Sequence, residues 1–314
     1  MFEFLAKRLA LGIGTLWVVS ILVFAGTELL PGDVATAVLG QGATKETVEA
    51  LREQMGLDKP AVGRYVTWIT NLVQGDMGES IATNRPIRTI MDDRVYNTFM
   101  LAGVTALISV PLALLLGILS VIYPEGILDR SISMVSLILI SLPEYFTGAA
   151  LILIFAVTWH IFPAVVYSSQ FSSAEQILRA LTLPVITLTI AILAHMVRMT
   201  RAAILDVLRA PYVEMALLKG VPKSRIILFH ALPNSLGPVI NVIALNLGYL
   251  VSGVVLVEAI FSYPGLGRLL TDSVANRDIP LVQAVTMVFC TVYVGLNLIA
   301  DMLTIITNPR LRTR

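Results

Sequence analysis

An all-α bundle of six membrane-spanning helices is the fold this sequence predicts, from its composition and its apolar runs. Of its 314 residues, 56% are hydrophobic and only 14% charged, where a soluble domain carries about 25% charge. Mean hydropathy is +0.83, so lipid is the expected solvent. A helix needs roughly 20 apolar residues to cross a bilayer. Runs of that kind fall near Leu9 to Leu30, Phe99 to Tyr123, Ser133 to Trp159, Leu181 to Thr200, Ser235 to Val257 and Val282 to Ile306.

The first run follows Lys7-Arg8 and precedes Ala35-Thr36-Ala37, a pattern shared with cleaved leader segments. Its apolar stretch exceeds the roughly 7 to 15 residues of a leader's core, so it is read as a retained span. With six spans, both termini share a side. Lys7, Arg8, Arg310, Arg312 and Arg314 lie at the ends. Arg198, Arg201, Arg209, Lys219, Lys223 and Arg225 lie at the connection between the fourth and fifth spans. The short loops opposite hold Arg179, Arg268 and Arg277. Basic residues collect on the cytoplasmic side, which places both termini and the fourth-to-fifth connection there. The loop from Tyr123 to Ile132 is nearly neutral and is silent on orientation. Pro111, Pro143, Pro184 and Pro238 fall within spans, where each removes a backbone donor that neighbours or water must replace.

Two connections are long. Pro31 to Asn97 is expected outside, with two amphipathic helices. Thr44 caps the first, whose Val48, Leu51 and Met55 share a face and which stops at Gly56. Val62, Tyr65, Val66, Ile69, Leu72 and Val73 mark the second, and Gly75-Asp76-Met77-Gly78 reads as a turn. Such helices dock either on the bundle as a lid or on a partner. The other connection, Arg201 to Asn234, contains a short helix from Tyr212 to Lys219. Pro211 suits its first turn, and Gly220 with Pro222 ends it. Glu214 near its start and Lys219 near its end both favour the helix dipole. Ala216 and Gly220, four apart, place small residues on one face, which suits close approach of another backbone. An ordinary loop helix would have the same periodicity.

Glu214-Met215-Ala216, then Gly220 six residues after the glutamate, and, after nine intervening residues, His230-Ala231-Leu232-Pro233 resemble a known signature. It is the cytoplasmic Glu-Ala-Ala, three residues, Gly, nine residues, Ile-x-Leu-Pro pattern of binding-protein-dependent permeases. Met215 and His230 depart from it and leave the spacing intact. Glu258-Ala259-Ile260-Phe261-Ser262-Tyr263-Pro264-Gly265-Leu266-Gly267-Arg268, followed by Arg277-Asp278-Ile279-Pro280, looks like the loop before the last span in the dipeptide/oligopeptide branch. Pro31-Gly32-Asp33, Met55-Gly56-Leu57-Asp58 with Pro60, and Gly75-Asp76-Met77-Gly78 resemble that branch's first outer loop. Asn308-Pro309-Arg310 is similar to its C-terminal Asp-Pro-Arg. These motifs occur in the family's order over nearly the whole chain.

The resemblance implies the permease subunit of a type I ATP-binding-cassette importer in a bacterial inner membrane. By that likeness the chain divides into 1–30 (N-terminus and first span), 31–97 (outer helical insertion), 98–306 (the ABC transmembrane type-1 domain of five spans, coupling helix near 211–220) and 307–314 (cytoplasmic tail). It implies a second homologous permease, two cytoplasmic ATPase subunits carrying ATP and magnesium, and an extracytoplasmic solute-binding protein. Glu214, Ala216 and Gly220 are the matched positions for ATPase coupling. Substrates of that branch are di- and oligopeptides, and related permeases serve nickel, glutathione, sugars and opines.

No catalytic, cofactor-binding or metal-ligating residue is expected in this chain. It holds no Gly-x-x-x-x-Gly-Lys-Ser/Thr loop for ATP and no His-Glu-x-x-His, and His160, His195 and His230 lack ligand spacing. Cys290, the single cysteine, is expected to be a buried inert thiol. Glu144, after Pro143 in the third span, and Asp301, near the inner end of the sixth, are intramembrane carboxylates and so candidates for function. Glu144 either lines a pathway or caps backbone groups freed by Pro143. Asp301 either serves transport or pairs with a cytoplasmic arginine. A self-sufficient transporter or channel driven by ions through these two carboxylates is the alternative function. An intramembrane hydrolase lacks a nucleophile and base pair.

Overall fold

The computed structural model describes residues 2–29, 44–54, 58–167 and 173–307. Pro31-Gly32-Asp33, Ala35-Thr36-Ala37, Met55-Gly56-Leu57, Asn308-Pro309-Arg310, Arg312 and Arg314 lie outside the described residues. The elements in chain order are α1 (Phe2–Glu28), α2 (Lys45–Gln54), α3 (Ala61–Val73), α4 (Ile87–Ile122), α5 (Ile127–Ser141), α6 (Glu144–Leu151, continuing as a π-helical segment Ile152–Thr158) and α7 (Ala174–Leu208). Then come α8 (Pro211–Leu218), α9 (Leu232–Ile260), α10 (Leu266–Ala275) and α11 (Ile279–Thr307). A short turn Lys223–Ile226 and a π-helical segment Ile227–Ala231 lead into α9.

Among the described residues, five helical stretches are long and apolar enough to cross a membrane: Leu5–Glu28, Ile87–Ile122, Ala174–Leu208, Ser224–Ile260 and Ile279–Ile306. The expected third span is a pair, Ile127–Ser141 and Glu144–Thr158, bent by 97°; taken as one crossing it makes the sixth. Pro143 explains the break. A proline disfavours the helical region for the residue before it, and here Leu142 is extended at φ −88, ψ 122, with Pro143 itself at ψ 138. Pro111, Pro184 and Pro238 instead sit inside unbroken helices.

The chain divides into two compact units. One comprises Met1–Arg8, Phe99–Tyr263 and Gly295–Arg314. Its core is built on α7 and α9, with Leu183, Leu188, Ile192 and Met196 packed among Val254, Val257, Phe261 and Tyr263. Small residues permit close contact, as expected where lipid supplies little drive for helices to associate. A Cβ on Gly117 of α4 would stand 2.9 Å from Thr200 Cγ2 of α7.

The other unit comprises Leu9–Thr98 and Pro264–Val294. Here Ile87 and Met91 of α4 pack with Leu266 and Leu269 of α10 and Leu281, Ala284 and Val285 of α11. The helix α10 stands where the sequence reads as a loop. Its apolar positions are too few for a span and fall between motifs that read as loop. Thr44 caps α2 as expected, its Oγ1 accepting from Thr47 N at 3.3 Å. Tyr65 and Trp68 of α3 lie against Phe24 of α1, at ring centroid distances of 5.5 and 5.9 Å. Ser20 Oγ is 2.8 Å from Tyr65 Oη, and Arg64 pairs with Glu28. For α3, therefore, the lid alternative holds on one face, while Val62, Val66 and Val73 remain exposed. Asp278, between α10 and α11, ties down the turn after α3. Ser80 Oγ donates to its carboxylate, and Ile81 N donates to Oδ1 at 3.2 Å.

Candidate functional site

The short helix α8 is set by its ends. Ala210 is extended at ψ 143 and Pro211 occupies the first turn, where its missing N–H costs nothing. At the other end Gly220 N donates to Leu217 O at 2.9 Å and Val221 N to Ala216 O at 3.2 Å. This pair of bonds is a Schellman cap, which requires a left-handed residue, and Gly220 has φ +77. The helix thus stops at Leu218. Gly220 is its left-handed cap and not a further position on the face with Ala216, because the chain has already left the helical spiral. A Cβ there would meet nothing within 4 Å. Val213 is buried, whereas Tyr212, Met215, Leu217 and Leu218 are exposed, Leu218 by 75%. Glu214 lies in the first turn, also exposed.

Above α8 on the same helix of entry, Arg201 of α7 makes a polar joint that sequence reading missed. Its Nε donates to Asp129 Oδ1 at 2.9 Å and its Nη2 to Oδ2 at 2.8 Å. Ser120 Oγ, at the end of α4, donates to the same carboxylate, as does Glu125 N at 3.1 Å. Asp129 is 4% exposed. Arg201 reads as a loop charge in the sequence because the apolar run ends near Thr200. The helix continues to Leu208, and this turns the arginine onto α4 and α5.

Glu144 opens α6 directly after the bend. The capping alternative is not realised at Oε2, which is buried without a hydrogen-bond partner among the described residues. The carboxylate lies against α9 where that helix has no side chain. A Cβ on Gly253 would stand 3.2 Å from Oε2 and 3.5 Å from Oε1. Asp301 is elsewhere, its Oδ2 3.0 Å from Arg8 Nη1. Asp301 is paired and Glu144 Oε2 is not, and the two do not form one charge centre. Cys290, expected to be buried, is only partly so and is free.

Residues 109–313 match the family described as the binding-protein-dependent transport system inner membrane component. Residues 1–102 match the N-terminal part of such membrane components. The chain belongs to this family. Among its relatives, a probable peptide ABC transporter permease of Sinorhizobium fredii is 32% identical over 309 residues, covering 98% of this chain and 99% of that one. Glutathione transport system permeases of Pectobacterium atrosepticum and Escherichia coli K12 are 37% and 35% identical over 312 residues, with 99% of each chain covered. A chain of the MetNI methionine ABC transporter, solved in inward-facing conformations, shares the fold at TM-score 0.55 and 18% identity, over 70% of this chain and 96% of that one.

This binding-protein-dependent component is the permease subunit of an ABC importer, a multi-pass inner-membrane protein with the type I importer architecture. ATPase and substrate-binding proteins are the partners its family implies. The ion-driven alternative built on Glu144 and Asp301 is displaced by this assignment.

Proposed function

We propose that this permease translocates di- or oligopeptides and receives the force of ATP hydrolysis through α8. The peptide reading is supported by relatives named for peptide and for glutathione, itself a short peptide, that span 98 to 99% of the chain. On this reading both termini and α8 are cytoplasmic, as the placement of Lys7, Arg8, Arg209 and Lys219 favours. The chain performs no chemistry itself. ATP and magnesium are held by two ATPase subunits, and a second homologous permease completes the pathway.

The observation that carries the coupling role is the open apolar surface of α8. Tyr212, Met215, Leu217 and Leu218 are exposed on eight residues between two spans. Such a patch outside lipid marks a protein contact. Ala216 keeps the surface shallow, the Gly220 cap fixes where the helix ends, and Glu214 steadies its first turn.

Replacing Gly220 by leucine tests this. A side chain at φ +77 costs about 1–2 kcal/mol, too little to prevent insertion of a large helical bundle. The Gly220→Leu protein is expected at normal membrane levels, with ATPase association and substrate-stimulated ATP hydrolysis lost. A variant complex that assembles with its ATPases and transports at the wild-type rate refutes the coupling role.

A further inference from the structure

The coupling reading leaves Glu144 unused, and its surroundings are unusual for a carboxylate in a membrane-crossing segment. Removing a carboxylate from water is expensive unless hydrogen bonds or a counter-charge compensate. Asp129, Glu28, Asp301 and Asp278 are all compensated by named groups of the chain. Glu144 Oε2 has no such partner among the described residues.

The helices that meet this carboxylate supply no cation. Neither α6 nor α9 contains a lysine or arginine. On α7, Leu188 borders the same space, its Cδ2 3.4 Å from the position of a Cβ on Gly253. Arg179 and Arg198 are nine and ten residues from Leu188 in the sequence, about 14 Å along a helix axis. His195 is seven residues away, about 10 Å on the same measure. The carboxylate also sits at the 97° break between α5 and α6. Broken helices are where transporters place contacts to charged cargo, because their ends expose backbone groups that continuous helices satisfy internally. Gly253 keeps the space beside the carboxylate free of a side chain.

We propose that Glu144 is a contact for an ammonium group of the passing substrate, either the peptide α-amine or a basic side chain. The inference rests on the peptide reading above. A transient ammonium supplies the missing counter-charge, and departure of the cargo leaves the site empty for the next cycle.

The complete transporter, with its partner permease, ATPases and binding protein, is reconstituted in liposomes. Uptake of trialanine is compared with that of N-acetyl-trialanine, which lacks the amine. Glu144→Gln is expected to lower trialanine uptake on the order of tenfold, the scale of one hydrogen bond to a charged group. Uptake of the acetylated probe and stimulated ATP hydrolysis should be unchanged. Where the wild type excludes the acetylated probe, loss of trialanine uptake at unchanged ATP hydrolysis supports the contact equally. Sensitivity of N-acetyl-Ala-Lys-Ala to the substitution assigns the contact to side-chain ammonium groups as well, and insensitivity limits it to the α-amine. Gly253→Ala, which presses a methyl against the carboxylate, should shift selectivity in the same direction, and it decides alone if Glu144→Gln fails to assemble. Equal loss on both probes, or no loss, overturns the proposal. A wild-type transporter that takes up none of these peptides overturns the peptide reading itself.

Discussion

Asp129 and Glu144 stand on the two halves of one bent helix pair, and their environments are opposites. Asp129 is buried and fully engaged, with Arg201 donating to both its oxygens and Ser120 and the Glu125 N–H completing the set. Glu144 is half-buried, and its Oε2 has no partner among the described residues. A carboxylate with every lone pair satisfied works for the fold; one with a buried, unsatisfied oxygen is a cost that function must justify. Acidic character alone does not separate the two. The neighbours do.

The comparison breaks most directly at Asp129. Asp129→Ala leaves Arg201 facing a void at the junction of α4, α5 and α7. Loss of one partner of a buried pair costs about 3–5 kcal/mol, and the low end is expected because the Arg201 side chain is 31% exposed. Thermal unfolding in detergent and the yield of assembled complex are the measurements, and undiminished values for both would mean the pair is ornamental to the fold.

A smaller effect is expected from Arg201→Lys. The ammonium keeps the charge but not the planar two-pronged geometry, so one charged hydrogen bond is lost, about 1.5–3 kcal/mol at most. Its unfolding temperature should fall between those of the wild type and Asp129→Ala; a value as low as the alanine variant would show that geometry, more than charge, holds the joint.

The smallest effect on stability belongs to Glu144→Gln. Here no ion pair is broken, and an uncompensated charge is removed. Stability should be unchanged or slightly raised, by about 1 kcal/mol or less. Destabilisation on the scale of Asp129→Ala would show that Glu144 is structural and erase the contrast.

Several elements were legible from one dimension because their causes are local. Apolar length selects membrane crossings, so the spans near Phe99, Leu181, Ser235 and Val282 coincide with α4, α7, α9 and α11. Pro211 and Gly220 bracket α8 because a missing N–H and a left-handed backbone are properties of single residues. Thr44 and the Gly75–Gly78 turn are local for the same reason: Asp76 Oδ1 accepts from Gly78 N at 2.9 Å.

What only the tertiary structure decided involves residues distant in the chain. Four prolines in apolar runs look alike in sequence, yet only Pro143 marks a 97° break, while helices continue through the other three. The position of Gly220 just outside α8, and not on its face, depended on where the Schellman bonds closed. The partners of Arg201 and Asp278 were likewise invisible, namely Asp129 and Ser80, whereas pairing of Asp301 with an arginine was expected and only the choice of Arg8 was not. In each case composition allows a charge in or near lipid, but the counter-charge or donor comes from another helix or loop. Hydrophobicity is written residue by residue, whereas electrostatic compensation in a low-dielectric interior depends on which surfaces the packed chain brings within about 3 Å of one another.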